Sequence, residues 1–413
     1  MDIPQASSTV PGPVAQAERI VSIDVLRGFA VLGILVMNIQ SFSMINSAYL
    51  NPTSFGDLSG LNFWVWWLSH VLVEEKFMAI FSMLFGAGVY LMTSRREAGG
   101  QSPTALHYRR MGVLLLIGLL HAYLLWYGDI LYHYAVCGLL VYLFRRWRPA
   151  PLIITGTLAV TVASMLAILW HWSMQFWPPG QVESLRESWA PSAELVAREI
   201  EGCRRDWLGQ IAHRAPTTFF FQTYLMLIMF VWRAGGLMLV GMGLFKLEVF
   251  SAKRSSTTYL LFIVAGLLLG IPIILYGVRR NFALHWNLES CFFLGSQFNY
   301  WGSLFVSLGW IGLVMLVCKH GVAQAVTRSL AAVGQMALTN YLMQTAICTT
   351  IFYGHGLGMF GKVERIGQLG IVVGIWVILL VISPIWLRHF RFGPVEWLWR
   401  SLTYMRAQPM RRG

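Results

Sequence analysis

Residues Tyr259–Val278 read YLLFIVAGLLLGIPIILYGV, twenty positions without a charged side chain. Hydrocarbon offers backbone N–H and C=O groups no partner, so such a run crosses a bilayer as a helix that closes its own hydrogen bonds. Val25–Met44, with one arginine, repeats the pattern, and Ile371–Ile382 is a shorter version of it. Composition points the same way. Of 413 residues 56% are hydrophobic and 12% charged, about half the charge of a soluble domain. The chain is therefore expected to be all-α, a polytopic transmembrane helix bundle.

Ten spans are expected: Ile23–Met44, Phe77–Met92, Met111–Trp126, Ile130–Phe144, Leu152–Trp170, Phe219–Phe245, Tyr259–Val278, about Trp301–Cys318, Leu330–Phe352 and Ile366–Trp386. Leu61–Val73 is too short to cross and reads as an interfacial or re-entrant helix. Residues 1–18 are expected to be a disordered cytoplasmic tail without a cleavable signal. Residues 19–390 form a single transmembrane domain, and 391–413 an interfacial segment whose short helix starts at Gly393-Pro394. Within the outer loop 171–217, Val196, Ile200, Cys203, Trp207 and Ile211 recur at helical spacing, with Ser192 as N-cap. That pattern predicts an amphipathic helix on the outer face, either a lid or membrane-surface element or a solvated connector helix.

The net charge of +13 does not mark a nucleic-acid binder, because the basic residues punctuate the ends of apolar runs. With the N-terminus inside, twenty Lys and Arg fall on the inner side and ten outside, five of these in the one long loop. The positive-inside rule then makes both termini cytoplasmic. Five scattered cysteines form neither a disulfide framework nor a metal knuckle, and no metal is expected.

Polar side chains inside hydrocarbon are costly and need partners or a function. Asp24, at the start of the first span, can pair with Arg27 or Arg19, and Asn38 lies further along that helix. His121 and His133 flank the Tyr127-Gly128-Asp129 turn at similar depth. A histidine beside a carboxylate is what a general base requires, and His121 with Asp129 is the leading candidate. His70 and Glu74 share a helical face, next to Glu75–Lys76. Arg233 stands deep in a span, where it either meets a buried carboxylate or grips an anionic ligand. Asn340 and Gln344 are one turn apart, so they are expected to face the same neighbour and to hydrogen-bond between helices.

Several segments, taken in order, resemble the YeiB-like family of bacterial membrane proteins, a domain of unknown function. They are Arg19–Asn38, Glu75-Lys76-Phe77, Leu84-Phe85-Gly86-Ala87-Gly88, Gly128-Asp129-Ile130-Leu131, Thr339-Asn340-Tyr341-Leu342 and Gly393-Pro394-Val395-Glu396-Trp397. The resemblance implies a multi-pass protein of the bacterial cytoplasmic (inner) membrane. The opening is also similar to heparan-α-glucosaminide N-acetyltransferase and the wider transmembrane acyltransferase superfamily. That similarity implies an acyl group taken from acyl-CoA inside and delivered to an outer-side acceptor, with Asp24, Arg27 and Asn38 at functional or structural positions. The heparan enzyme's motif continues to a catalytic histidine eleven residues after the asparagine. Here that residue is Tyr49, so His121 is the substitute base.

In this reading Arg95, Arg96, Arg109, Arg110 and Arg145 attract the phosphates of acyl-CoA. Asp24, Arg27, Asn38, Glu75, Arg233 and Asn340 contact donor or acceptor, and His121, Asp129 and His133 do the chemistry. Membrane lipids and a second copy of the chain complete the expected partners. The alternative is a transporter or lipid-binding protein in which Arg233 and the histidines hold cargo.

Overall fold

The computed structural model describes residues 19–412; the expected tail at 1–18 lies outside that range. The regular elements there are helices, with one isolated bridge between Phe390 and Arg411. In chain order they are α1 (Val21–Ser43), α2 (Asn46–Leu50), α3 (Gly60–Leu72), α4 (Lys76–Ala98), α5 (Thr104–Leu124), α6 (Leu131–Val141), α7 (Pro149–Ser173), α8 (Pro179–Trp189), α9 (Ala193–Arg204) and α10 (Gly209–Phe220). They continue as α11 (Val231–Lys246), α12 (Ser256–Ala265), α13 (Ile271–Ala283), α14 (Leu288–Ser290), α15 (Ser296–His320), α16 (Gln324–Gln335), α17 (Ala337–Phe352), α18 (Arg365–His389) and α19 (Pro394–Tyr404). Wider π-turns carry α10 into α11 and α12 into α13.

Among the described residues, seven helical stretches are long and apolar enough to cross a membrane: Val21–Ser43, Gly60–Ala98, Pro149–Phe176, Gly209–Lys246, Ser256–Ala283, Leu288–His320 and Arg365–His389. The other three expected spans are also helical. α5 carries Arg109 and Arg110 near its start, and α6 and α17 are short. Of the apolar window of α1, 72% is buried, against 22% for α18, so α1 is a central helix and α18 a peripheral one. Ile154 and Leu158 on α7, Leu261 and Leu268 between Ser256 and Gly270, and Val377 and Ile385 on α18 point outward as a lipid-facing surface would.

Close crossings set the core. A Cβ on Gly86 would lie 1.9 Å from the Met238 carbonyl oxygen, and one on Gly241 2.0 Å from that of Met83, so only glycines let α4 and α11 meet there. The expected break after Leu61–Val73 is present: Glu75, with φ 66°, separates α3 from α4. Basic side chains tie one end together. Lys246 donates to the carbonyls of Arg145 and Trp147, Lys319 to that of Arg254, and Arg109 to that of Thr403.

One expected span, Leu330–Phe352, is broken at Met336 into α16 and α17. A continuous helix would pair the Leu338 N–H with the Gly334 carbonyl. Here Glu396 of α19 accepts from the N–H groups of Leu338 (2.7 Å) and Thr339 (3.1 Å) and from the Thr339 hydroxyl, while Arg27 donates to the Gly334 oxygen at 3.5 Å. Two charged side chains thus take both halves of the missing bond, and the carboxylate sits at the positive end of α17. Glu396→Ala should cost about 2–3 kcal/mol, because a cap is lost and two N–H groups are orphaned. Unfolding in detergent measures it; a cost below about 0.5 kcal/mol would remove the cap from the account.

Candidate active site

Helix α5 ends in His121–Leu124 and α6 begins at Leu131, so the intervening turn returns Asp129 to the imidazole. Asp129 is held from two sides. One oxygen accepts from the Tyr132 N–H (2.7 Å) and the other contacts His121 Nδ1 (2.8 Å). An ionised carboxylate only accepts, so Nδ1 carries the proton and Nε2 is left as the acceptor. Nε2 takes the Thr345 hydroxyl of α17 at 3.0 Å. Both side chains of the dyad are 1% exposed. Two further polar groups nearby, Trp126 Nε1 and the Tyr341 hydroxyl, are buried and donate to no acceptor, the Tyr341 oxygen facing the Ile130 backbone. The rings of Tyr341 and Trp126 lie 5.2 and 6.4 Å from that of His121. Buried donors without acceptors are rare in folded proteins, which sets this spot apart from the rest of the bundle.

The remaining predicted residues divide. His133 does not join the dyad: its nitrogens face the backbone oxygens of Asp129 (3.0 Å) and Phe221 (3.1 Å), so it serves the chain. Asp24 is shared by Arg19 and Arg27, each at 3.0 Å, as an anchoring cluster at the start of α1. Asn38 is half-buried and makes no side-chain hydrogen bond. Asn340 bonds the Val333 carbonyl and Ser383, joining α17 to α16 and α18, while Gln344 reaches the Val31 carbonyl on α1. The two amides therefore face different neighbours. In the basic rim, Arg145 and Arg146 share Glu97, Arg96 bonds the Ser102 carbonyl and Arg109 that of Thr403.

Arg233 meets a carboxylate. Its guanidinium reaches Glu75 at 3.0 Å and Ser303 at 3.0 Å, and stacks over the Tyr300 ring at 3.9 Å. Sequence spacing gave no pairing between positions so far apart, so the arginine looked uncompensated. Lys76 does not pair with Glu75; it donates to the His70 carbonyl (2.6 Å) and to Asn299 (2.5 Å). His70 and Glu74 do bond to each other. Tyr49 lies within electrostatic reach of Glu74 and Glu75, and burial followed by those charges pushes its phenol well above the usual range.

A cap covers the α5–α6 turn. The expected amphipathic helix is α9, capped by Ser192 Oγ accepting from the Leu195 N–H. Its Cys203 is buried in the cluster that holds Trp126, Phe42 and Phe360, with Val196 and Ile200 packed against it. Arg214 donates to the carbonyls of Tyr123 and Leu125 (3.0 Å each), and Trp207 to that of Leu124, neutralising the C-terminal end of α5. The loop is thus a helical lid, with a small cavity between Asn46, Tyr127, Glu199 and Arg214.

Burial raises the Glu199 carboxyl from 4.5 to about 6, against the Asn46 N–H bond that pulls it down. The folded lid then holds a proton that the unfolded chain releases. The stability this contributes is complete below about pH 4.5 and lost as pH rises through about 6. Hydrogen exchange in α9, corrected for its intrinsic pH dependence, should quicken across that window. Glu199→Gln should flatten the profile; an unchanged profile would contradict the assignment.

Comparison with known proteins follows the same lines. Residues 244–406 match a family model described as a protein of unknown function, DUF418. The chain is 32% identical to the uncharacterized protein YeiB of Escherichia coli (strain K12), over 95% of this chain and 98% of that protein. It is also 32% identical to the uncharacterized protein YxaH of Bacillus subtilis (strain 168), over 96% and 97% respectively. No solved structure matches. With two relatives aligned almost end to end, the chain belongs to the YeiB-like family of helical membrane proteins, DUF418.

Proposed function

We propose that this protein is a membrane-embedded acyltransferase of the bacterial inner membrane. In this reading it moves an acyl group from acyl-CoA at its arginine-rich cytoplasmic end to an acceptor on the outer side. The observation that carries it is the orientation of His121: Asp129 on Nδ1 leaves Nε2 free to accept, and Nε2 already faces a hydroxyl. In the proposed step an acceptor hydroxyl or amine takes the place of the Thr345 hydroxyl and gives its proton to Nε2 as it attacks the thioester carbonyl. The intermediate then expels the CoA thiolate, which recovers the proton from the imidazolium. Asp129 stabilises the imidazolium between the two transfers. Trp126 Nε1–H and the Tyr341 hydroxyl are the donors nearest to hand for the developing oxyanion.

Arg110 and His121 lie eleven residues apart on α5, about 16 Å along the axis. The extended arm of the donor has to span that distance while its phosphates stay with the arginines. Purified protein in bilayers, given short- and long-chain acyl-CoAs and membrane lipid as acceptor, should release CoA thiol above the protein-free rate. No release with any of these donors would count against the reading.

A further inference from the structure

At the end of the bundle where α1 begins, α19 lies across α5 and α17 and brings together arginines from three helices. Arg110 of α5 is stacked on Trp399 at 4.2 Å, and Arg400 of α19 over Phe392 at 4.6 Å. Arg110 lies within electrostatic reach of Arg400, Tyr404 and Arg27, and Arg400 within reach of Arg19 and Arg27. The four arginines share two neighbouring carboxylates, and both are committed. Asp24 is gripped by Arg19 and Arg27, and Glu396 by the start of α17. Arg110 and Arg400 have no ion pair among the described residues.

Guanidinium groups do not shed their proton to escape such crowding. Burial first, and then the charges of Arg19 and Arg27, hold Arg400 down to about 10. An added anion relieves that repulsion at a stroke, and ring-stacked guanidiniums are already oriented to receive one. Both arginines are half-buried, so they remain reachable.

We propose that Arg27, Arg110 and Arg400 form a binding site for the phosphate group of an anionic ligand. The planar fork of each guanidinium matches phosphate oxygens two at a time. The surroundings favour a lipid as the source of the phosphate. On α19, Leu398 and Leu402 are exposed one turn apart, and Met405 just past its end is exposed as well, an apolar edge that suits the membrane interface. Arg400 then stands at headgroup depth, where basic pockets take anionic lipid. The site stands whether or not the protein transfers acyl groups.

The test uses full-length protein in phosphatidylcholine nanodiscs, with phosphatidylglycerol added to the bilayer or glycerol 3-phosphate to the buffer. Phosphatidylglycerol should raise the unfolding temperature of the wild type, and Arg110→Gln/Arg400→Gln should need about tenfold more of it for the same shift. Arg198→Gln, on α9 and paired with Glu194 far from the cluster, should respond as wild type does. A shift from glycerol 3-phosphate with none from the lipid keeps the phosphate site and makes its ligand soluble. In phosphatidylcholine alone, Arg400→Gln should be no less stable than wild type, because it removes a repelled charge. Equal shifts in wild type and the double variant, or no shift from either phosphate, would overturn the site. So would Arg400→Gln that is unstable in neutral lipid yet responds normally to phosphate.

Discussion

If the protein works as proposed, His121→Gln should yield a folded protein whose turnover of acyl-CoA falls at least about a hundredfold. Glutamine keeps most of the volume and one polar end, so packing against Tyr341 and Trp126 survives. What disappears is a group that both accepts and returns a proton, and general-base catalysis supplies about a hundredfold to ten-thousandfold. The structural cost is smaller: side-chain hydrogen bonds between membrane helices average about 0.6 kcal/mol. Turnover and thermal stability therefore separate the two roles of the residue. Full activity with lost stability would make the His121–Asp129–Thr345 chain a packing device.

Glu75→Gln is the costlier half of the ion pair with Arg233. It leaves a guanidinium that is 2% exposed facing a neutral amide. Breaking a buried pair from one side costs about 3–5 kcal/mol. Arg233→Met strands Glu75 instead, but that carboxylate is 28% exposed, so water recovers part of the loss. The double variant should be more stable than Glu75→Gln alone, because no uncompensated charge remains. Strictly additive losses in a double-mutant cycle would contradict the pairing. Arg233→Lys should fold but lose the stack on Tyr300 and one of the two contacts, since an ammonium has no planar fork.

The sequence disclosed whatever depends on local periodicity or short loops. Apolar runs such as Pro149–Ser173 were visible because their length has no alternative in water. The Ser192 cap, the Gly393-Pro394 helix start and the His121–Asp129 pair were visible because each is written within about ten residues. Contacts closed by the tertiary fold were not. Glu75 and Arg233 are 158 residues apart, and His121 and Thr345 are 224 apart. Nothing in either neighbourhood names the other. The break at Met336 escaped for the same reason: Leu330–Phe352 reads as one apolar helix, and the groups that divide it, Arg27 and Glu396, arrive from α1 and α19. His133 misled by symmetry. It stands about as far from the turn as His121 does, but on α6 it meets carbonyls instead of the carboxylate.

Asp129→Asn decides whether Asp129 makes His121 a base. The amide can hold the same contacts while presenting N–H to Nδ1, which moves the imidazole proton to Nε2 and removes the acceptor. CoA thiol release from acyl-CoA is measured beside the unfolding temperature of the same preparation. Release should be at least about a hundredfold slower, with the unfolding temperature within a few degrees of wild type. Release at the wild-type rate from Asp129→Asn would contradict that role of Asp129.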